Sequence, residues 1–204
     1  KKLHGICEGC MVHRGFYDAY NLIKDQVLLN LKEEILMQNN QGKIIENLYY
    51  AGHSLGGGMA SIGVYDFLNE NSKNINEDHF NLISNVSIFT FGSPRVGDIK
   101  FRDFINKKDL LKFNLRVVYG QDIVPDLLIG EPLSQYRHIG DFAHFPRNEF
   151  DYPVIFKREE YDKIKREEDI FDQINIKKRI EDHGRYSLLN SKGIEYAVKV
   201  LNNN

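Results

Sequence analysis

Residues 49–68 read YYAGHSLGGGMASIGVYDFL. An apolar strand leaves through Gly52, passes through His53 and Ser54 in a tight turn, and restarts as a helix carrying Gly56, Gly57 and Gly58 in succession. Each glycine costs backbone entropy, so ordinary core segments avoid this density. It makes sense where the backbone must bend sharply and be approached closely.

The segment Gly52-His53-Ser54-Leu55-Gly56 is a G-x-S-x-G placed between a strand and a helix, the pattern of a nucleophile elbow. On this reading Gly52 and Gly56 stand where side chains would collide. Gly57 and Gly58 let the helix pack tightly against the strand, and Ser54 Oγ is exposed above the sheet. The N–H of Leu55, at the helix start, points toward a developing oxyanion. A bare G-x-S-x-G arises by chance in glycine-rich loops; the strand–turn–helix context gives it weight. His53 lies beside Ser54 with its side chain pointing elsewhere, which suits packing or hydrogen bonding and not the role of base.

The surrounding pattern predicts an α/β domain. Phe16, Tyr20, Ile23, Val27, Leu31 and Ile35 form one helical stripe within 15–38. Strands are expected over 44–51, with both faces covered, over 86–91 (VSIFTF), 115–120 (LRVVYG) and 152–157 (YPVIFK), and a shorter strand or hairpin within 134–145. Helices are expected over 55–70, 99–105 and 187–201, and 71–81 reads as a polar surface loop. The charged stretch 158–181 reads as a solvated helical face with Ile164, Ile170, Phe171, Ile174 and Ile180 as sparse anchors. Strand–helix alternation implies a mostly parallel central sheet, whose functional groups gather at the C-terminal ends of its strands. The 204 residues suit one domain, 1–204.

A serine hydroxyl needs a histidine base and a carboxylate to hold that histidine's tautomer. In this architecture the chain order is Ser, acid, His. Asp122 follows the strand LRVVYG, in QDIVPD, and is the preferred acid; Asp126 is its nearest rival, and Asp98 better suits a helix N-cap. His138, His144 and His183 follow Asp122. His138 falls inside a predicted strand and His144 in an aromatic setting. His183, in a loop before the last helix and followed by Gly184, is the preferred base.

Net charge is −2 with both signs interspersed, which argues against nucleic acid as a partner. No apolar run approaches the roughly eighteen residues of a membrane span. The chain opens KKLHGICEGC, without a starting Met or an apolar leader, so a processed or truncated product is expected. Cys7 and Cys10 form C-x-x-C. Zinc would need further ligands and a redox site a preceding strand; a local disulfide pinning a loop is favoured, which implies an oxidising compartment.

Six segments together resemble fungal-type (class 3) lipases: VHRGFYDAY (12–20), AGHSLGGGMA (51–60), FTFGSPRVGD (89–98), RVVYGQDIVPDLL (116–128), YRHIG (136–140) and DHGRY (182–186). The resemblance implies an α/β-hydrolase fold with helices on both faces of the sheet. It implies serine esterase chemistry on acyl esters, with Ser54, Asp122 and His183 as nucleophile, acid and base, Leu55 N–H as one oxyanion donor, and no metal or organic cofactor. Its feruloyl-esterase branch carries a similar C-x-x-C as a local disulfide. It also implies a lipid or other acyl-ester substrate, contact with a lipid interface, and secretion. Family members have strands and a lid ahead of the VHxGF element, where the second oxyanion donor lies; here eleven residues precede Val12, so these parts are expected to be missing. The expected activity is that of a lipase acting on acylglycerols. A phospholipase, a feruloyl-type esterase, and a non-catalytic subunit retaining the fold are the alternatives.

Overall fold

A computed structural model describes residues 1–73, 83–127, 135–147, 152–157, 176–189 and 191–202. Two helices, α1 (Arg14–Asn21) and α2 (Lys24–Asn40), open the fold. Then come β1 (Asn47–His53), α3 (Leu55–Lys73), β2 (Asn85–Phe91), α4 (Ile99–Ile105) and β3 (Phe113–Tyr119). A 3-10 turn at Val124–Asp126 precedes β4 (Asp141–Phe145) and β5 (Val154–Phe156). Helix α5 (Ile176–His183), a 3-10 turn at Tyr186–Leu188 and α6 (Ser191–Asn202) complete the described chain.

The five strands lie in chain order, β1-β2-β3-β4-β5. The first four are parallel and β5 runs antiparallel to β4. Alternate residues feed two cores because side chains in a strand switch faces at every step. Val86 and Ile88 join the layer built with α1–α4, around Ile62, Phe67 and Phe101. Phe89, Phe91, Leu115, Val117, Ala143 and Phe145 face the other way and pack with Ala197 of α6. Helices thus cover both faces, as an α/β-hydrolase fold requires.

Several local expectations change. The stripe over 15–38 divides at Leu22-Ile23, so that Tyr20 on α1 and Ile35 on α2 both reach the core while Leu22 is exposed. Only one face of β1 is covered, because α6 packs over β3 and β4; Asn47, Tyr49, Ala51 and His53 are exposed. His138 lies outside any strand; of the two readings of 134–145 the shorter strand is the one found, as β4, a parallel partner of β3. Helix α6 begins at Ser191, and the expected start at 187 is taken by the 3-10 turn. Asp98 caps α4, accepting from Phe101 N at 2.9 Å. The loop expected over 71–81 begins later, since α3 runs to Lys73, and 74–82 lie outside the described residues. Of the anchors in 158–181, Ile164, Ile170, Phe171 and Ile174 also lie outside them.

Cys7 and Cys10 are joined by a disulfide. The segment leading into that loop docks on α3 through Asn69 Oδ1, which accepts from Ile6 N, and Tyr65, whose hydroxyl donates to His4 O.

Candidate active site

Ser54 sits between β1 and α3 with φ of +56°, a left-handed conformation that few non-glycine residues adopt. Its N–H is anchored to Phe91 O at 2.9 Å, and its own carbonyl accepts from Gly57 N at 2.9 Å. The strain is held by close backbone approach. A Cβ on Gly52 would overlap the backbone of Gly56 and Gly57, and one on Gly57 would meet Ser93 at 2.7 Å. Two of the expected glycine roles change. A Cβ on Gly56 would enter open space, and Gly58 makes room for the Phe16 ring of α1 rather than for the strand. Leu55 is the first residue of α3, so its N–H has no partner within the helix.

The carboxylate comes from the loop after β3. Asp122 is buried, and its Oδ1 accepts from Val124 N at 2.8 Å. The histidine comes from α5, where His183 is the last residue of a helix and not part of a loop.

These side chains meet in one line. His183 Nδ1 lies 2.8 Å from Asp122 Oδ2 and 3.0 Å from Oδ1. His183 Nε2 lies 2.7 Å from Ser54 Oγ. With Nδ1 donating to the carboxylate, Nε2 presents its lone pair to the serine hydroxyl. This is the arrangement that lets imidazole accept the serine proton.

Asp126 and the other two histidines are elsewhere engaged. Asp126 pairs with Arg179 of α5. His144 Nε2–H donates to Gly120 O at 2.7 Å, and buried His138 donates to Pro125 O at 3.0 Å. Burial, and then Arg116 and Arg95 nearby, hold the His138 pKa well below the usual imidazole range. His53 makes a hydrogen bond to the site itself: its Nε2–H donates to the His183 carbonyl at 2.8 Å, and the two rings stack at 4.6 Å.

Sequence reasoning named no role for Tyr186. Its hydroxyl donates to Asp122 Oδ2 at 2.6 Å and accepts from Tyr119 N at 3.2 Å. Burial, then the neighbouring Asp122 charge, push its pKa well above the usual phenol value, so it stays a donor. Gly92, with φ of +53°, leaves the space that this hydroxyl and carboxylate fill. The one signal was its place three residues after His183, within DHGRY.

Comparison with known proteins adds a lineage. The model of the family "Lipase (class 3)" matches residues 1–130. Secreted mono- and diacylglycerol lipase A of Penicillium cyclopium is 25% identical over 123 residues, which cover 60% of this chain and 34% of that protein. Phospholipase A1-Igamma1, chloroplastic, of Arabidopsis thaliana is 29% identical over 133 residues, covering 58% and 25%. The chain therefore spans a quarter to a third of these curated relatives. Lipase II from Rhizopus niveus superposes with a TM-score of 0.52 at 27% identity, over 67% of this chain and 45% of that one. Rhizomucor miehei triacylglyceride lipase gives a TM-score of 0.63 at 20% identity, over 91% and 62%, a likeness of fold.

Proposed function

The chain belongs to the class 3 lipase family, and from that premise we propose that it is a serine carboxylic ester hydrolase acting on acylglycerols. The observation that carries the reading is the unbroken line Ser54–His183–Asp122, with both bonds to the imidazole near 2.7–2.8 Å.

Ser54 Oγ attacks the ester carbonyl carbon while His183 Nε2 takes its proton. The carbonyl π pair moves to oxygen, and Leu55 N–H is a donor to that oxyanion. Collapse breaks the bond to the alcohol oxygen, which leaves with the proton from His183. The serine is now acylated. Water then gives a proton to His183 and attacks the acyl carbon, and collapse returns the proton to Ser54 as the acid departs. Asp122 stays ionised throughout, holding Nδ1–H and stabilising the imidazolium.

Apolar side chains beside the site elements favour a lipid substrate and contact with its interface. Leu55, Leu127 and Ile180 are exposed by 48%, 47% and 59%. No helix among the described residues is long and apolar enough to cross a membrane. Phospholipid is the second substrate reading, favoured by the phospholipase A1 relatives. Secretion is the proposed location, supported by the Cys7–Cys10 disulfide and the secreted relatives; other relatives are chloroplastic.

Ser54→Ala in the intact protein is expected to abolish labelling by a fluorophosphonate probe and to lower kcat about 10⁶-fold. Labelling of the variant at the wild-type level would exclude Ser54 as nucleophile. Parallel assays on diacylglycerol, phosphatidylcholine and a feruloyl ester rank the substrate classes.

A further inference from the structure

Asp182 and Gln121 immediately precede His183 and Asp122, and they are bonded to each other. Asp182 Oδ2 accepts from Gln121 N at 2.8 Å. The same buried carboxylate holds Arg147 through Nε at 2.8 Å and Nη2 at 2.6 Å. Arg147 lies just past β4 and reaches Gln121 Oε1 at 3.4 Å. The loop is built to admit this carboxylate: Gly120 has φ of +55°, and a Cβ there would overlap Asp182 and meet Arg147 Cγ at 3.0 Å. A second staple joins the same two elements, Arg179 Nε donating to Gln121 O at 3.0 Å and the guanidinium pairing with Asp126.

Helix α5 thus meets the Asp122 loop through charge, one residue upstream of the imidazole–carboxylate bond on both sides. A buried carboxylate with a forked guanidinium and a main-chain N–H has one low-energy geometry. We propose that Asp182 and Arg147 are positioning residues, setting the separation of His183 from Asp122 in the ester hydrolase proposed above, on which this inference rests. They act through Gln121 and α5 and touch no substrate. Displacement of a catalytic group by about 1 Å can lower a rate on the order of a hundredfold, so the lock bears on rate more than on affinity.

The test is the fluorophosphonate inactivation rate and the kcat and KM of the intact protein carrying Asp182→Asn, Arg147→Gln, Arg147→Lys, or the Asp182→Asn and Arg147→Gln pair. Asp182→Asn and Arg147→Gln are expected to slow inactivation and kcat by roughly ten- to a hundredfold with KM within about twofold. Arg147→Lys, which keeps the charge, is expected to lose less than Arg147→Gln. The double variant is expected to be no slower than the worse single one, since the two share one interaction. Titrating active sites with the probe separates rate per folded molecule from the folded fraction. If Asp182→Asn does not fold, the half-buried Arg147 variants decide alone. Unchanged rates per labelled site would overturn the positioning role, as would a loss confined to KM. Labelling of Ser54→Ala would instead overturn the hydrolase reading itself.

Discussion

At the scale of single residues, the Asp122 carboxylate is shared between an imidazole and a phenol. Its Oδ2 receives both His183 Nδ1 at 2.8 Å and Tyr186 Oη at 2.6 Å. Tyr186→Phe removes one donor from a buried anion and leaves Tyr119 N without its acceptor. The expected cost is about 1–3 kcal/mol of stability, with a fall in kcat of roughly tenfold or less, read from denaturant midpoints and ester turnover. A variant with wild-type stability and rate would show that the phenol carries no share of the charge. Chain order points to which carboxylate and which histidine meet but is silent about a second donor to the carboxylate, so the Asp122–His183 contact was legible where that of Tyr186 was not. The same limit applies to His53. Its direction away from the serine follows from the turn, whereas its bond to the His183 carbonyl depends on a helix 130 residues away.

At the scale of elements, the turn at Ser54 was the most legible part of the chain, because its constraints are local. Gly52 and Gly56 look equivalent in the motif, yet their surroundings differ. Gly52→Ala drives a methyl group into the backbone of the next helix and is expected to cost about 3 kcal/mol or more. Gly56→Ala meets open space on a helix and is expected to stay within about 1 kcal/mol of wild type. Thermal or urea unfolding of the two variants reads the contrast, and equal losses would refute it. Helix α5 was hard to read for the opposite reason. Its anchoring runs through Arg179, Asp182 and Arg147, and a charged sequence announces solvent exposure unless the partners are known. Its apolar residue Ile180 is exposed. Strand β1 misled differently: its apolar run suits a strand covered on both faces, but coverage depends on where α6 lands, which no local pattern encodes.

At the scale of the whole molecule, burial of titratable groups brackets the pH range of stability. Tyr20, Tyr50, Tyr65 and Tyr186 all have pKa values raised chiefly by burial, with Asp66 adding to the first three and Asp122 to Tyr186. An unfolded chain releases phenolic protons near pH 10. Above that pH the unfolded state binds fewer protons than the native one, so stability falls as pH rises toward the native values. The acid side has the opposite sign. His138 is held neutral by burial and by Arg116 and Arg95, and His13 is lowered by burial and by the N-terminal amine. Below about pH 6.5 the unfolded chain takes up protons that the native imidazoles refuse, and stability falls as pH drops. Urea midpoints across pH are therefore expected to be flat between about 6.5 and 10 and to fall on either side. Phenolate absorbance in the native protein should show a class of tyrosines that ionises only as the fold is lost. Phenolate titrations that superimpose in native buffer and in urea would refute the alkaline arm, because phenols raised by desolvation cannot titrate like free ones while the fold around them stays closed.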